Sequence, residues 1–498
     1  NAYNNFDPRP EYVALVGDVG GSYNVPTFYE DWGQDYWGDL CEGDQPFSQL
    51  NGNDLFPEVL VGRISVRSSS NISNIVNKII HYEKATYMGG LNEFYERAAV
   101  MGDPGDSGIS TVISARYVEN IMEAHGMEDV RLKISGSSWT SWMENRLEEG
   151  VLYFQYRGFY GVSGFDNGDI DDANNGHRLP FATVLTCDTG SFAEETTCLS
   201  EKFLKAGSVS NPKGAVAAVS TATGNTHTMF NNIIAMGIYD GIFPKKVGTA
   251  GAALSNGKLT LYSAYPNNPY NWVSAFSQWN SLMGDPSTHL WTDTPEIFQV
   301  NYNEDIPFGT NYLEIEVLTE TGDPVDLAMV TLLKGNDEIF INGLTDENGR
   351  AVIHLDYQYG GQLSVTVTKQ DCKPFIGTAT IITDGKLVNL DQLETIDIND
   401  EGGDGMWNPG ETAEIAIPLY NFGLVGVSDV TAEITTTSEY MDIIDGSAYY
   451  GFMGVGQTQY GEAFSVHLSP SAMEREELKL HLTISDDSGE VWYSILNI

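Results

Sequence analysis

Between Val151 and Phe192 two short apolar runs, VLYFQY and LPFATVLT, lead into the glycine-rich loops RGFYGVSG and CDTGSF. Neither run alternates polar with apolar residues, so each reads as a strand buried on both faces of a sheet. In an α/β sheet the loops just past the carboxyl ends of the strands form the ligand crevice. Cys187 stands at the mouth of the second run. A thiol in that place is a candidate nucleophile if a base stands opposite it.

The same grammar runs through the first half of the chain. Tyr12 to Asp18, Glu58 to Ile64, Arg97 to Gly102, Val130 to Ile134 and Gly214 to Ser220 are further apolar runs. Helical periodicity separates them. Ile72, Ile75, Ile79, Ile80 and Tyr82 share one stripe over 71–87, and Val112, Ile113, Tyr117, Ile121 and Met122 share another over 109–125. Further helices are expected over 139–148, 193–206 and 227–241. Strands alternating with helices imply right-handed crossovers and a parallel sheet covered on both faces. Residues 19–56 interrupt the pattern as a long polar and aromatic loop, and loops of this length are usually functional.

From about residue 310 the period changes to two. LEIEVLTE, VDLAMVTLL, AVIHLDY, QLSVTVTK and GTATIIT are separated by the turn signals TGDP, DENGR and YGG. That spacing predicts a β-sandwich of immunoglobulin-like type, and a second module opens near 395. The 498 residues therefore divide into an α/β domain over 1–300 and two β-sandwich modules over 308–393 and 394–498.

The charge balance narrows the partners. With 25 basic and 69 acidic residues the net charge is −44. Such a surface repels nucleic acid and anionic membranes, whose phosphates need Lys and Arg. It suits an extracellular, saline or calcium-rich medium, hence a secreted or cell-surface protein. No apolar run approaches the roughly 18 residues of a membrane span. Cys41, Cys187, Cys198 and Cys372 show no CxxC pair and are expected as free thiols. The quick approach of NAYNNFDPRPEYVALVGD to a buried strand points to a processed or truncated start.

Several blocks carry a resemblance: YVALVGD, FPEVLVGRISVRSSSNISNIVNKIIHYEKA, GVLYFQYRG, LPFATVLTCDTGSF, NPKGAVAAVSTAT and SLMGDPS. In this order and spacing, over about 12–292, they resemble the catalytic region of the gingipain-type cysteine peptidases. The resemblance implies a caspase-like α/β fold and peptide-bond hydrolysis by a cysteine–histidine dyad. It also implies further strands before YVALVGD, so the first subdomain is expected to be incomplete or completed by another segment, by a separate chain or by self-assembly.

Matched residue by residue, Cys187 takes the place of the family's cysteine. RGFYG matches the histidine loop and puts Phe159 where the histidine belongs. A phenyl ring cannot accept a proton, and a cysteine without a partner keeps a pKa of about 8.5. Asp103, in MGDPGDSG, matches the acid that assists the histidine. The aspartate that holds arginine side chains falls here near Thr111, and Thr221 and Thr226 join Thr111 as candidate substrate-binding residues. His227, just beyond the strand 214–220, is the candidate replacement base; His177 and His289 are weaker alternatives. The N–H groups of Gly158 and Cys187 would hold the oxyanion.

Two acidic stretches could take calcium, which needs six to eight oxygen ligands. One is Asp166, Asp169, Asp171 and Asp172; the other is Asp397, Asn399, Asp400, Asp404 and Glu411. The loop with Glu30, Asp31, Asp35, Asp39, Glu42 and Asp44 is a vaguer third. No histidine–cysteine grouping has zinc spacing. Three readings follow: a secreted cysteine peptidase acting on protein or peptide, a catalytically silent relative used for binding, and a structural subunit of a surface assembly.

Overall fold

The computed structural model describes residues 2–30, 41–52, 54–86, 92–194, 197–224, 226–335, 338–383, 385–473 and 478–498. They fall into two compact units, 1–296 with 370–373, and 297–369 with 374–498.

The first unit is built on an eight-stranded sheet. Its strands in chain order are β1 (Tyr12–Val16), β2 (Leu60–Ile64), β3 (Arg97–Gly102), β4 (Asp129–Lys133), β5 (Tyr153–Arg157), β6 (Phe181–Val184), β7 (Ala217–Thr221) and β8 (Asn280–Met283). Across the sheet they lie in the order β1-β2-β8-β7-β6-β5-β3-β4. The apolar runs predicted seven of these strands to within a few residues. The fully parallel sheet is corrected. β8 pairs antiparallel with β7, Thr221 opposite Asn280, whereas β8 is parallel to β2. So β1, β2 and β8 run against the other five strands. The cause is the β7–β8 connection. It is not one crossover helix but three, α6 (Thr228–Ile242), α7 (Ala250–Ala264) and α8 (Trp272–Trp279), and α8 feeds β8 from the end at which β7 finishes.

The other helices are α1 (Ser69–Glu83), α2 (Ile109–His125), α3 (Trp139–Glu149), α4 (Asn167–Asp172) and α5 (Leu199–Lys205). Alternate strand residues serve the two faces of the sheet. Val100, Tyr153, Phe181 and Val219 pack with Val118 of α2 and Ile234 and Ile238 of α6. Met101, Phe154, Tyr156 and Val184 pack with Met143 and Leu147 of α3, Ile170 of α4 and Phe203 of α5. α7 carries Ala, Gly, Ser and Thr in place of a large apolar stripe, so periodicity alone leaves it unmarked. It packs on α6 by close approach: a Cβ on Gly257 would lie 2.8 Å from the Ile234 carbonyl oxygen.

The second unit holds both sandwiches. In the first, Phe298–Tyr302, Tyr312–Thr319 and Arg350–His354 form one sheet; Met329–Lys334 and Gly361–Lys369 are central to the other. The alternation read from the sequence puts Leu313, Ile315, Val317, Val330, Leu332, Val365 and Val367 between them. In the second, strands such as Thr412–Ala416, Val427–Thr435, Phe464–Leu468 and Lys479–Ser485 enclose a separate core around Ile415, Ala432, Val466 and Leu482. Asn311 joins the two modules: its amide donates to the Ile495 carbonyl at 2.6 Å and accepts from the Ile495 N–H at 2.9 Å.

Two buried cations organise the first unit. Arg63 is fully buried on β2. Its guanidinium donates to both carboxylate oxygens of Asp44 at 2.7 Å and to the carbonyls of Gly17, Val25 and Pro26. It thereby ties the loop after β1 to the sheet. Removing one partner of such a pair leaves an uncompensated buried charge. Arg63→Met is expected to cost about 3–5 kcal/mol, measured as a lower urea midpoint at an unchanged m-value.

Lys78 is the second, buried on α1 with its ammonium donating to the Phe203 and Lys213 carbonyls. Burial lowers its pKa from 10.5 to about 7. Between those two values the unfolded chain holds the proton and the folded chain does not, so this residue's contribution makes stability rise with pH across the window. Thermal melts of Lys78→Met across that window should show a smaller rise, or steeper fall, than those of the parent; parallel curves would contradict the assignment.

Candidate active site

β5 and β6 are neighbours in parallel register, Tyr153 opposite Phe181 and Tyr156 opposite Val184. Their loops stay paired beyond the strand ends. Tyr160 bridges Cys187, the Gly161 N–H donates to the Cys187 carbonyl at 3.3 Å, and the Thr186 hydroxyl donates to the Gly161 carbonyl at 2.8 Å. The turn after the thiol is also tied down. Asp188 has φ of +63°. Its N–H donates to the Thr223 carbonyl, and its carboxylate accepts from the hydroxyls of Ser191 at 2.7 Å and Tyr160 at 2.9 Å. The helix expected from 193 starts only at Leu199, beyond this ordered turn.

The Cys187 side chain is nearly closed off, 5% exposed. Among the described residues, the polar atom at hydrogen-bond distance from its sulfur is Thr226 Oγ1, at 2.9 Å. Phe159, in the place of the expected base, is 53% exposed. Gly158 is buried, and its carbonyl accepts from the Ser107 hydroxyl at 2.9 Å.

The remaining residues chosen from the sequence fall differently. His227 is the N-cap of α6: its Nδ1 accepts from the Met229 N–H at 3.2 Å, and its ring lies 5.5 Å from Phe230 and 6.3 Å from Trp272 between centroids. Asp103 accepts from the Gly105 N–H at 2.9 Å and from the Ser163 hydroxyl, which in turn lies 2.5 Å from Tyr156 Oη. Burial pushes the Tyr156 phenol up to about 12, so it is a neutral hydrogen-bonding group at neutral pH. Thr111 does not line a pocket. It is fully buried, and its hydroxyl donates to the Asp103 carbonyl at 2.7 Å. Thr221 is likewise buried, donating to Asn280 Oδ1 at 2.8 Å. Only Thr226 of the three threonines meets the thiol. His177 stacks on His81 with centroids 3.9 Å apart, and His289 lies against Trp291.

The side chains of the acidic stretches expected to take calcium are engaged as follows. Residues 167–172 form α4, not a loop. Asp166 and Asp169 are engaged in its capping box, while Asp171 pairs with Lys202. In the second stretch, Asp400 accepts from the Asp404 and Gly405 N–H groups, Asp404 from Met406, and Glu411 from Asn408. Asp397 and Asn399 lie on a strand paired with Thr412–Ala416. Among the described residues no three carboxylate, imidazole or thiol groups gather as a metal site requires. In the third stretch Glu42 accepts from the Ala193 N–H at 3.1 Å and Asp44 holds Arg63. Glu30 ends a short strand paired with Cys41, and Asp31, Asp35 and Asp39 lie outside the described residues. None of the four cysteines is in a disulfide, as expected from their spacing.

Residues 1–291 match the profile of peptidase family C25. The chain belongs to that family. Gingipain R2 of Porphyromonas gingivalis is 22% identical to it over 380 residues, covering 72% of this chain and 47% of the relative. Gingipain R1 of the same organism is 21% identical over 402 residues, covering 76% and 39%. The chain thus spans about half the length, or less, of these curated relatives. The crystal structure of the Arg-specific cysteine proteinase gingipain R superposes with a TM-score of 0.66 at 21% identity, covering 76% of this chain and 86% of that one. The complex of RgpB pro- and mature domains superposes equally well, with a TM-score of 0.66. The C25 portion therefore has the caspase-like fold that the sequence blocks implied, followed by β-sandwich modules.

The sequence reading missed Arg157, Ser163 and Tyr156 as members of this C25 site. A signal was present for the first: YFQYR puts Gln155 and Arg157 on one face of a strand that is otherwise apolar. Gly158 is the tightest point. A Cβ there would lie 2.3 Å from Tyr156 Oη. Gly158→Ala is therefore expected to displace Tyr156 and cost about 1–3 kcal/mol through overpacking, checked by chemical denaturation beside the outward-facing control Phe159→Ala.

Proposed function

We propose that this protein is a secreted or cell-surface C25 homologue that binds protein or peptide chains at a retained thiol cleft, without the cysteine–histidine turnover of peptide bonds. One observation carries the reading: the polar neighbour of the Cys187 sulfur is the Thr226 hydroxyl at 2.9 Å. Acyl transfer to cysteine needs a group that takes the thiol proton and returns one to the leaving amine. A threonine hydroxyl does neither near neutral pH. The lone pair of His227 Nδ1 is spent on capping α6. The ordered turn around Asp188 and the near-complete burial of Cys187 support a cleft kept for binding.

The outer strand β1 supports a second contact. Its apolar residues are partly uncovered, Tyr12 at 36% and Val16 at 50%. Exposed apolar edge strands pair readily with further strands. A strand-forming segment or a second copy added there belongs to this reading.

A second reading, an active peptidase, is favoured by His227 being exposed and next in the chain to Thr226. Turnover of a fluorogenic peptide library separates the two. The parent should be silent, and Phe159→His should gain about 10²-fold or more, with the gain lost when Cys187→Ala is added. Parent turnover that Cys187→Ala abolishes would sink the binding-only reading.

A further inference from the structure

Tyr153, Gln155 and Arg157 project from one face of β5, toward α6. Arg157, the last residue of the strand, is 1% exposed. Its Nε donates to Asn232 Oδ1 at 2.8 Å and its Nη2 to the Thr228 carbonyl at 3.1 Å. Its Nη1 is buried and has no hydrogen-bond partner among the described residues. The site is built from two sides onto one short segment. Cys187 reaches Thr226 from β6, and Arg157 reaches Thr228, two residues on, from the neighbouring strand.

The electrostatics match this geometry. Burial lowers the guanidinium to about 9, so it is still protonated at neutral pH. Cys187 and Tyr156 are the titratable groups near enough to act on it electrostatically, and the phenol is neutral there. A buried cation held only by neutral acceptors is costly, and negative charge brought close to it is stabilised more strongly than in water. Elsewhere in this unit the chain pairs a buried guanidinium with a carboxylate, as Arg63 does with Asp44. Among the described residues no carboxylate pairs with Arg157, and its Nη1 is left without a partner beside the segment that Cys187 also reaches.

We propose that Arg157 is the fixed positive charge of the thiol site, drawing anionic thiol-directed ligands to Cys187 in preference to neutral ones. This rests on the reading of Cys187 as a retained thiol at a binding cleft, and it adds the charge class of what the cleft accepts. The role falls to Arg157 because the loop above carries Phe159 and no imidazolium.

The test compares alkylation of Cys187 by iodoacetate and by iodoacetamide, followed by mass spectrometry of the Cys187 peptide because Cys41, Cys198 and Cys372 are not in disulfides either. In both reactions a sulfur–carbon bond forms, the carbon–iodine bond breaks, iodide leaves and the thiol proton passes to solvent. The reagents differ mainly in charge. A net charge of −44 by itself disfavours iodoacetate. The iodoacetate-to-iodoacetamide rate ratio at Cys187 should nevertheless exceed that of a neutral cysteine peptide amide by about three- to tenfold. It should fall to or below the peptide's value in Arg157→Met and be kept in Arg157→Lys. A parent ratio no higher than the peptide's overturns the proposal without any variant, so misfolding of Arg157→Met does not shelter it. An unchanged ratio in folded Arg157→Met overturns it as well. Cys187 that resists both reagents overturns the thiol-cleft reading along with it, whereas reaction without charge preference overturns only the role of Arg157.

Discussion

The site depends on the parallel pairing of β5 and β6 and on its continuation past the strand ends. Strands held in register deliver their loops to the same edge of a sheet. Here the Tyr160–Cys187 bridge and the hydrogen bonds at Gly161 hold those loops side by side. The thiol is thereby pinned next to the segment that opens α6. Asp103, Tyr156 and Ser163 form a linked group on the other side of the Gly158 loop. Changes at Gly158 therefore reach several groups at once, since the buried tyrosine behind it has no room to give.

A second constraint is the scarcity of positive charge. The chain carries 25 basic residues against 69 acidic ones, yet Arg63, Lys78 and Arg157 are buried in the first unit. Each burial has a different compensation. Arg63 is matched by a carboxylate and three carbonyls, Lys78 by two carbonyls, and Arg157 by an amide oxygen and a carbonyl. Desolvation disfavours all three ions, and the incompletely matched ones feel it most. Lys78 responds by approaching neutrality near pH 7, which suits a structural role. Arg157 keeps its charge at that pH because a guanidinium starts from a much higher value.

Much of the fold was legible because burial on two faces leaves a local mark. The runs around Val100, Phe154 and Ala182 are apolar throughout, and the stripe Ile75–Ile79–Tyr82 is helical at a glance. The alternation LEIEVLTE likewise announces a sandwich strand. Where the local mark is weak, reading failed. α7 relies on small residues for close approach, and its Ala, Gly and Ser content resembles a loop. DNGDIDD reads as an irregular turn, but Asp166 and Asp169 cap a short helix.

By itself the sequence determined the alternation of strands and helices, the thiol at a strand end and the family, and its resemblance put Phe159 at the position expected for a histidine. These are properties of short segments, each set by its own pattern of apolar residues, glycines and identities. Only the tertiary structure decided what stands beside the sulfur, which way β8 runs and which carboxylates are already engaged. Thr226 is distant in sequence from Cys187, and Arg157 meets the same turn from another strand. Such contacts follow from β5, β6 and β7 lying side by side in the sheet, and no local pattern encodes that order.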